Sequence, residues 1–479
     1  MKNGNTALGG LIWKFLERSS YQIINFLVTL VLARLLTPEE YGLVALVLTL
    51  ITILQVFVDS GMGTALVQRK EIHEEDYGTV FVANVILSIF LYILAFFCAP
   101  AVSKFYGENL NLIIRILAVI ILIFGIKNIY QAYISRNMLF KNTFFISFLS
   151  ICISGLLGIV LAYFKFGIWA LVCQQLTNEI ICTLLYILII KWRPQIIFSK
   201  DSFFQSFGYG WKLLISSLID AVYNNVRQLL IGKYYSSGDL AYYSKGEQFP
   251  NALVGNINTS MNVVLLPVMS QKQDDRFEVK KIARTMIRVS SYILWPMMIG
   301  LFVVANKIIL ILLGEKWIST VPYLQIFCLV YALQPLQTTN LSVMKAMGRS
   351  DLFLKMEIIK KSIGLILVIV SVKFGALYIC FSSFIYSIIA SIINSFPNRK
   401  IINYSYFEQI KDIIPFIVLS AIMGGVVHIV GTLKGNIYII LFIQIIVGLV
   451  VYLLLSVVFK VDCLQYILEF IKGKVKANE

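Results

Sequence analysis

The chain has 479 residues, of which 59% are hydrophobic and only 14% charged, with a formal net charge of +16 and a mean hydropathy of +0.83. A soluble domain is about half apolar and about a quarter charged, so this composition excludes a water-soluble globule and requires lipid as solvent. Seven scattered cysteines without a CxxC pair read as small buried hydrophobes, and two distant histidines, His73 and His428, argue against a zinc site.

The N-terminal "MKNGNTALGGLIWKFLERSSYQ" is broken by Lys14, Glu17 and Arg18 and lacks a small-residue cleavage site. It reads as a retained helix and not as a signal peptide. A spanning helix needs about 20 mostly apolar residues. In chain order the hydropathy predicts fourteen, over 11–34, 42–64, 78–103, 110–135, 143–164, 167–190, 203–232, 240–269, 282–305, 318–344, 352–372, 375–396, 412–431 and 435–458. The connections are short, and the long unbroken apolar runs exclude the alternation of a membrane barrel. The expected fold is an all-α integral membrane protein with about 14 transmembrane helices.

Loop charge sets the orientation. With the N-terminus in the cytoplasm, the inside connections and tails hold 24 of the 41 Lys and Arg and the outside connections hold eight. Both termini are then cytoplasmic. The basic balance is a topology signal and a lipid-headgroup contact, and needs no nucleic acid to explain it.

Three phrases recur on outside turns. "KFGIWALV" from Lys165 is echoed by "KFGALYIC" from Lys373, and "YGEN" from Tyr106 by "LGEKW" from Leu313. "ARLLTPEEYG" from Ala33 resembles "GKYYSSGDLAYY" from Gly232. The offsets point to two six-helix lobes in the same orientation, related by a pseudo-two-fold axis along the membrane normal. The boundaries read as 1–200 for helices 1–6, 201–405 for helices 7–12, and 406–479 for helices 13–14 and a cytoplasmic tail. Two pseudo-symmetric lobes with a central cleft suit a transporter that rocks between two faces of the membrane.

A charge at mid-membrane costs about 2.5–3.5 kcal/mol on insertion scales and is expected to face a wet cavity or a partner. Helix 1 places Lys14, Arg18, Tyr21, Gln22 and Asn25 on one face, and helix 7 does the same with Lys212, Ser216, Asp220, Asn224 and Arg227. These stripes are expected to face each other across the cleft. Helix 8 adds Lys245 and Glu247, helix 4 adds Lys127, and helix 6 adds Glu179. Bland readings stand beside these: Lys14 and Arg18 near a helix end can snorkel, and Asp220 with Arg227 can pair as structural glue. Lys127 is the hardest to set aside, being central to its run with no acid beside it. Cations dominate, which suits a phosphate or pyrophosphate head group. Pro296 and Pro335 interrupt helices 9 and 10 as gating bends do.

No GxxxxGK[ST], GxSxG or HExxH motif is present, so neither an ATP cassette nor a catalytic or metal centre is expected. No bound cofactor is expected either. Uphill movement then needs an H⁺ or Na⁺ gradient or the membrane potential, with Asp220, Glu179 or Glu247 as coupling candidates.

"LARLLTPEEYGLVALVLTL", followed by "FVDSGMGTALVQRKEIHEEDYGTVF", strongly resembles the polysaccharide flippases of the multidrug/oligosaccharidyl-lipid/polysaccharide superfamily, in the branch for lipopolysaccharide, colanic acid and teichuronic acid export. The resemblance continues through "FGIWALV" and "SKGEQFPNALVGNINTSMNVVLLPVMSQ". It implies two six-helix lobes plus two C-terminal helices, alternating access, no enzymatic step, and a polyprenyl-pyrophosphate-linked oligosaccharide as substrate. It implies a bacterial inner or plasma membrane, contact with membrane lipids, and glycan polymerase or export machinery as partners. Lys14, Arg18, Lys127, Lys212 and Arg227 match the family's cationic cavity residues in type. A cation-coupled small-molecule or drug antiporter of the same superfamily is the alternative, and it calls for an acid-rich cleft.

Overall fold

Thr37 opens a helix because its hydroxyl accepts the Glu40 N–H at 3.3 Å while the Glu40 carboxylate accepts the Thr37 N–H at 2.8 Å. Pro38 fills the first helical position, where no N–H is required. The computed structural model describes residues 2–464 and 469 of this all-helical chain, and no strand occurs among them. The chain divides into two units, Met1–Ala241 and Tyr242–Glu479.

The first unit holds α1 (Lys2–Leu35), α2 (Pro38–Asp59), α3 (Met62–Gln68), α4 (Glu74–Tyr106), α5 (Asn111–Leu117), α6 (Val119–Asn137), α7 (Phe140–Tyr163), α8 (Ile168–Ile189) and α9 (Lys200–Tyr234). α10 (Ser237–Ser270) begins there and continues into the second unit. The second unit adds α11 (Arg276–Leu312), a 3-10 turn at Glu315–Trp317, α12 (Thr320–Ala332), α13 (Gln334–Ala346), α14 (Ser350–Ser371), α15 (Ala376–Ser395), α16 (Asn398–Ile401), α17 (Tyr406–Gly431) and α18 (Ile437–Val458). The predicted tail, with Lys472, Lys474 and Lys476, lies outside the described residues.

Among the described residues nine helices are long and apolar enough to cross a membrane: α2, α4, α5–α6, α7, α8, α11, α15–α16, α17 and α18. The other five predicted spans coincide with α1, α9, α10, α12–α13 and α14, which are helical but more polar or interrupted. Predicted helix 10 is split at Leu333, just before Pro335, because proline supplies no N–H and crowds the preceding turn. Most of the candidate cavity residues sit on three of these five, α1, α9 and α10.

Each echo keeps a positive-φ glycine or a capping box at the matching position, although ψ differs within the glycine pairs. Gly107 and Gly314 both have positive φ, at 75° and 97°, just beyond long helices. Gly167 and Gly375 are both helix N-caps with positive φ, at 58° and 131°. The third echo repeats the capping box: Ser236 Oγ accepts the Asp239 N–H at 3.0 Å, and Asp239 accepts the Ser236 N–H at 3.3 Å. Ser236 stands where Thr37 stands in the first copy, at the offset that pairs Arg34 with Lys233.

In the first unit α7 packs on α1 and α8, α6 on α2, α4 and α8, and α9 on α2, α3 and α4. Small residues set the α7 face: Ser150, Ser154, Gly155, Gly158 and Ala162 are buried, and a Cβ on Gly155 would lie 2.4 Å from Val28 Cγ2. Such faces let helices approach closely in lipid, where van der Waals packing carries association. α9 is tied to the α3–α4 connection by Asp76, whose Oδ1 accepts from Arg69 Nη1 at 3.0 Å and Ser202 Oγ at 2.5 Å.

In the second unit α17 packs on α11 and α18. Arg284 on α11 donates to both oxygens of Asp412 on α17, at 2.8 and 2.6 Å, and the Tyr404 hydroxyl donates to the same carboxylate at 2.7 Å. Beside this, the buried amides Asn340, Asn398 and Gln409 bond to one another. Gln409 and Asn340 exchange two hydrogen bonds, at 2.8 and 3.0 Å, and Asn398 Nδ2 donates to Asn340 Oδ1 at 2.7 Å.

Candidate functional site

The first unit carries a chain of polar side chains through its helical interior. α6 presents consecutive residues to two neighbours. Lys127 is buried, at 7% exposure, and its Nζ forms an ion pair with Glu179 on α8. Asn128 points to α2, and its Nδ2 donates to Asp59 Oδ1 at 3.1 Å. Next to Glu179, Asn178 Nδ2 donates to the Tyr21 hydroxyl of α1 at 3.4 Å, and Ser154 Oγ of α7 donates to Asn178 Oδ1 at 3.4 Å. Lower on α1, Glu17 accepts from Lys14 Nζ at 2.6 Å and from Ser147 Oγ of α7 at 3.3 Å.

This arrangement revises one expectation. The run around Lys127 contains no acid, yet the fold brings Glu179 to it from a helix 52 residues away. A cation expected to hold a head group and an acid expected to couple an ion are therefore one pair. Lys14, half exposed, is likewise matched with Glu17. Glu17 and Asp59 were absent from the sequence-derived set. The signal for Glu17 is its i+3 spacing from Lys14, and that for Asp59 is an acid at the end of an apolar run.

The remaining candidates fall in three groups. On α1, Arg18 is exposed and Asn25 half-buried. On α9, Lys212, Asp220 and Asn224 are exposed, whereas Arg227 is buried at 7% with its guanidinium 5.7 Å from the Tyr223 ring centre. Among the described residues no carboxylate pairs with Lys212. On α10, Lys245 Nζ donates to Gln248 Oε1 at 3.3 Å, and Glu247 accepts from the Tyr331 hydroxyl of α12 at 3.2 Å. Further along, Lys360 pairs with Glu357 on α14 at 2.5 Å. Among the described residues no three His, Cys, Asp or Glu gather as a metal site would require.

Lys127–Glu179 joins two apolar spans and Lys14–Glu17 lies within α1, the matching expected of charges placed inside a membrane. The fold is like that of a solved multidrug resistance MATE family transporter of the multidrug/oligosaccharidyl-lipid/polysaccharide superfamily in an inward-facing conformation, with a TM-score of 0.61 and 15% identity over 81% of this chain and 94% of that one. The chain is similar to the solved lipid II flippase MurJ in an inward closed conformation, with a TM-score of 0.77 and 18% identity, covering 95% of this chain and 100% of that one. Residues 31–322 match the family described as polysaccharide biosynthesis protein, and the chain belongs to that family. It is 26% identical to the teichuronic acid biosynthesis protein TuaB of Bacillus subtilis (strain 168), over 86% of this chain and 87% of the relative. It is 23% identical to the succinoglycan biosynthesis transport protein ExoT of Rhizobium meliloti (strain 1021), over 72% and 70%.

Proposed function

We propose that this protein carries a polyprenyl-pyrophosphate-linked oligosaccharide from the cytoplasmic to the outer leaflet of a bacterial inner or plasma membrane by alternating access, for export of a surface polysaccharide. The observation that carries this reading is a transporter fold covering 95% of the chain in a member of a polysaccharide biosynthesis family.

The cations divide by accessibility. Lys212 and Arg18 are exposed, so they are the side chains to meet a pyrophosphate. Lys a point charge and Arg a planar fork are the two forms of phosphate recognition. Lys127, buried and paired with Glu179, holds α6 to α8, and Lys14, exposed but paired with Glu17 on its own helix, is already neutralised. Glu179, Asp59, Asp220 and Glu247 are the acids from which an H⁺- or Na⁺-coupled step is drawn. No bond in the substrate is made or broken, so the protein acts as a carrier and not as an enzyme. Loop charge supports cytoplasmic termini, and glycan polymerase or export machinery is a natural partner for the delivered product.

The test is mass spectrometry of lipid-linked saccharides in cells lacking this gene, with inverted and right-side-out vesicles to assign the leaflet. A complete polyprenyl-pyrophosphate oligosaccharide accumulates on the cytoplasmic side and is cleared by the wild-type gene. An unchanged lipid-linked pool together with normal surface glycan would remove this function and turn attention to ion-coupled export of small molecules.

A further inference from the structure

A second cationic site lies in the Tyr242–Glu479 unit, away from every residue discussed as a carrier group. Four basic side chains from four separate places in the fold line one cavity of 510 Å³: Arg276 at the start of α11, Arg349 before α14, Lys355 on α14 and Lys400 on α16. Its wall is apolar in part, with Met356 buried and Phe396 69% exposed. Arg349 is held by Asp351, with Nη2 to Oδ2 at 2.8 Å. Among the described residues no carboxylate pairs with Arg276, Lys355 or Lys400. Four like charges gathered around one opening repel each other unless an anion sits among them.

We infer that this cavity binds the phosphate head group of an anionic membrane phospholipid. Phosphate supplies the charge that Arg and Lys recognise. A soluble phosphate would satisfy the cations equally, and the surroundings decide between the two. The exposed Phe396 and the half-buried Leu352 stand in the cavity wall itself with Lys355, an apolar surface against which an acyl chain lies while its phosphate enters the cavity. The four cations sit at the end of the bundle where loop Lys and Arg concentrate, the end expected to face the anionic leaflet. Basic pockets among helix ends at that leaflet are established as a general mode of head-group binding. The inference uses no property of the carried substrate.

The experiment is native mass spectrometry of the full-length protein, purified in detergent and titrated with phosphatidylglycerol or phosphatidylcholine. The wild type is expected to keep phosphatidylglycerol at least about tenfold better than phosphatidylcholine. Arg276→Gln/Arg349→Gln/Lys355→Gln/Lys400→Gln is expected to lose that preference by about tenfold, and Arg276→Lys/Arg349→Lys to keep most of it. Neutralising Lys104, Lys165, Lys373 and Lys434 at the opposite end leaves it unchanged. If the quadruple variant does not purify as a monodisperse species, Arg349→Gln/Lys400→Gln reads the same loss on a milder background. Wild-type preference in the variants would overturn the site. Displacement of the lipid by inorganic phosphate at low millimolar concentration, or phosphate binding with no preference for phosphatidylglycerol, would overturn the lipid in favour of a soluble phosphate ligand.

Discussion

Lys127 on α6, buried, and Glu179 on α8, half-buried, form an ion pair in the first unit, and the carboxylate is the lysine's compensation for leaving water. Removing one partner strands a charge, which costs about 3–5 kcal/mol in a buried pair. Replacing both with apolar residues of similar volume is close to neutral. Lys127→Ala and Glu179→Ala are therefore each expected to lower the thermal midpoint of the detergent-purified protein sharply, while Lys127→Met/Glu179→Leu recovers most of the loss. Export separates structure from function: the double variant is stable but exports poorly if Glu179 carries the coupling ion. Full export from the stable double variant would reduce the pair to scaffolding.

Lys212 differs from Lys127 in being exposed and free of any carboxylate partner among the described residues. Its neutralisation leaves nothing stranded, so stability is expected to be unchanged. A charge-assisted hydrogen bond to a phosphate contributes about 1.5–3 kcal/mol, so Lys212→Gln is expected to slow delivery of the lipid-linked saccharide by about tenfold or more. Lys212→Arg preserves most activity. Equal transport by Lys212→Gln and wild type in the vesicle leaflet assay would remove this residue from the head-group path.

The buried amides at one end of the second unit centre on Asn340. Asn340 Oδ1 accepts from both Asn398 and Gln409, and its Nδ2 donates to Gln409 and to the Leu336 carbonyl. Asn340→Ala leaves Gln409 Oε1 without its donor in a buried site, while Asn398 Nδ2 keeps the Asn340 carbonyl and Gln409 Nε2 the Tyr404 carbonyl, at a cost of about 1–3 kcal/mol. A clear drop in thermal midpoint is expected, with Asn340→Leu/Gln409→Leu partly restoring it. A midpoint within error of wild type for Asn340→Ala would mean that water reaches the site.

Helical class and turn positions were legible in the sequence because each depends on local chemistry. Thr37/Glu40 and Ser236/Asp239 close the same capping box at equivalent points of the two copies, and hydropathy marks the long apolar runs. The candidate site was legible only as an inventory. Charged residues on one helical face can be counted from the sequence, but the partner that neutralises them comes from another helix. Lys127 shows the limit, since its acid lies on α8 and nothing near it in the chain announces the pairing. Asn128 and Asp59 illustrate the same limit between α6 and α2.

Asp351 competes for one of the four cations of the second cavity. Its hydrogen bonds from Arg349 hold the carboxyl down, to about 2. A carboxyl held below its ordinary value of about 4 keeps its pairing above that value, and the contribution is lost as pH falls through about 2. Asp351 is thus ionised throughout pH 5–8, and the phosphatidylglycerol preference is expected to show no step from it in that window. Asp351→Asn releases Arg349 and is expected to raise phosphatidylglycerol retention about two- to fivefold at pH 7. A fall in retention would show that the pair itself shapes the site.

Gly167 and Glu40 link two of the turns that mark the repeat. Gly167 has φ of 58°, and a Cβ there would lie 2.6 Å from Glu40 Oε1, whose carboxylate closes the Thr37 capping box. Gly107 also has positive φ but meets nothing within 4 Å. Gly107→Ala therefore reports left-handed backbone strain alone, about 1–2 kcal/mol, whereas Gly167, at ψ −134°, lies outside that region and is strained more by any side chain. Gly167→Ala adds displacement of Glu40 and loss of part of the cap, a further contribution of about 1 kcal/mol. The thermal midpoint is expected to fall further for Gly167→Ala than for Gly107→Ala. The mechanism makes a second demand. If both Gly167→Ala and Thr37→Ala act through Glu40, their effects share a partner and do not add. The double variant is then less destabilised than the two single losses combined. Strict additivity would mean that Glu40 swings aside without cost and that backbone conformation alone explains the glycine.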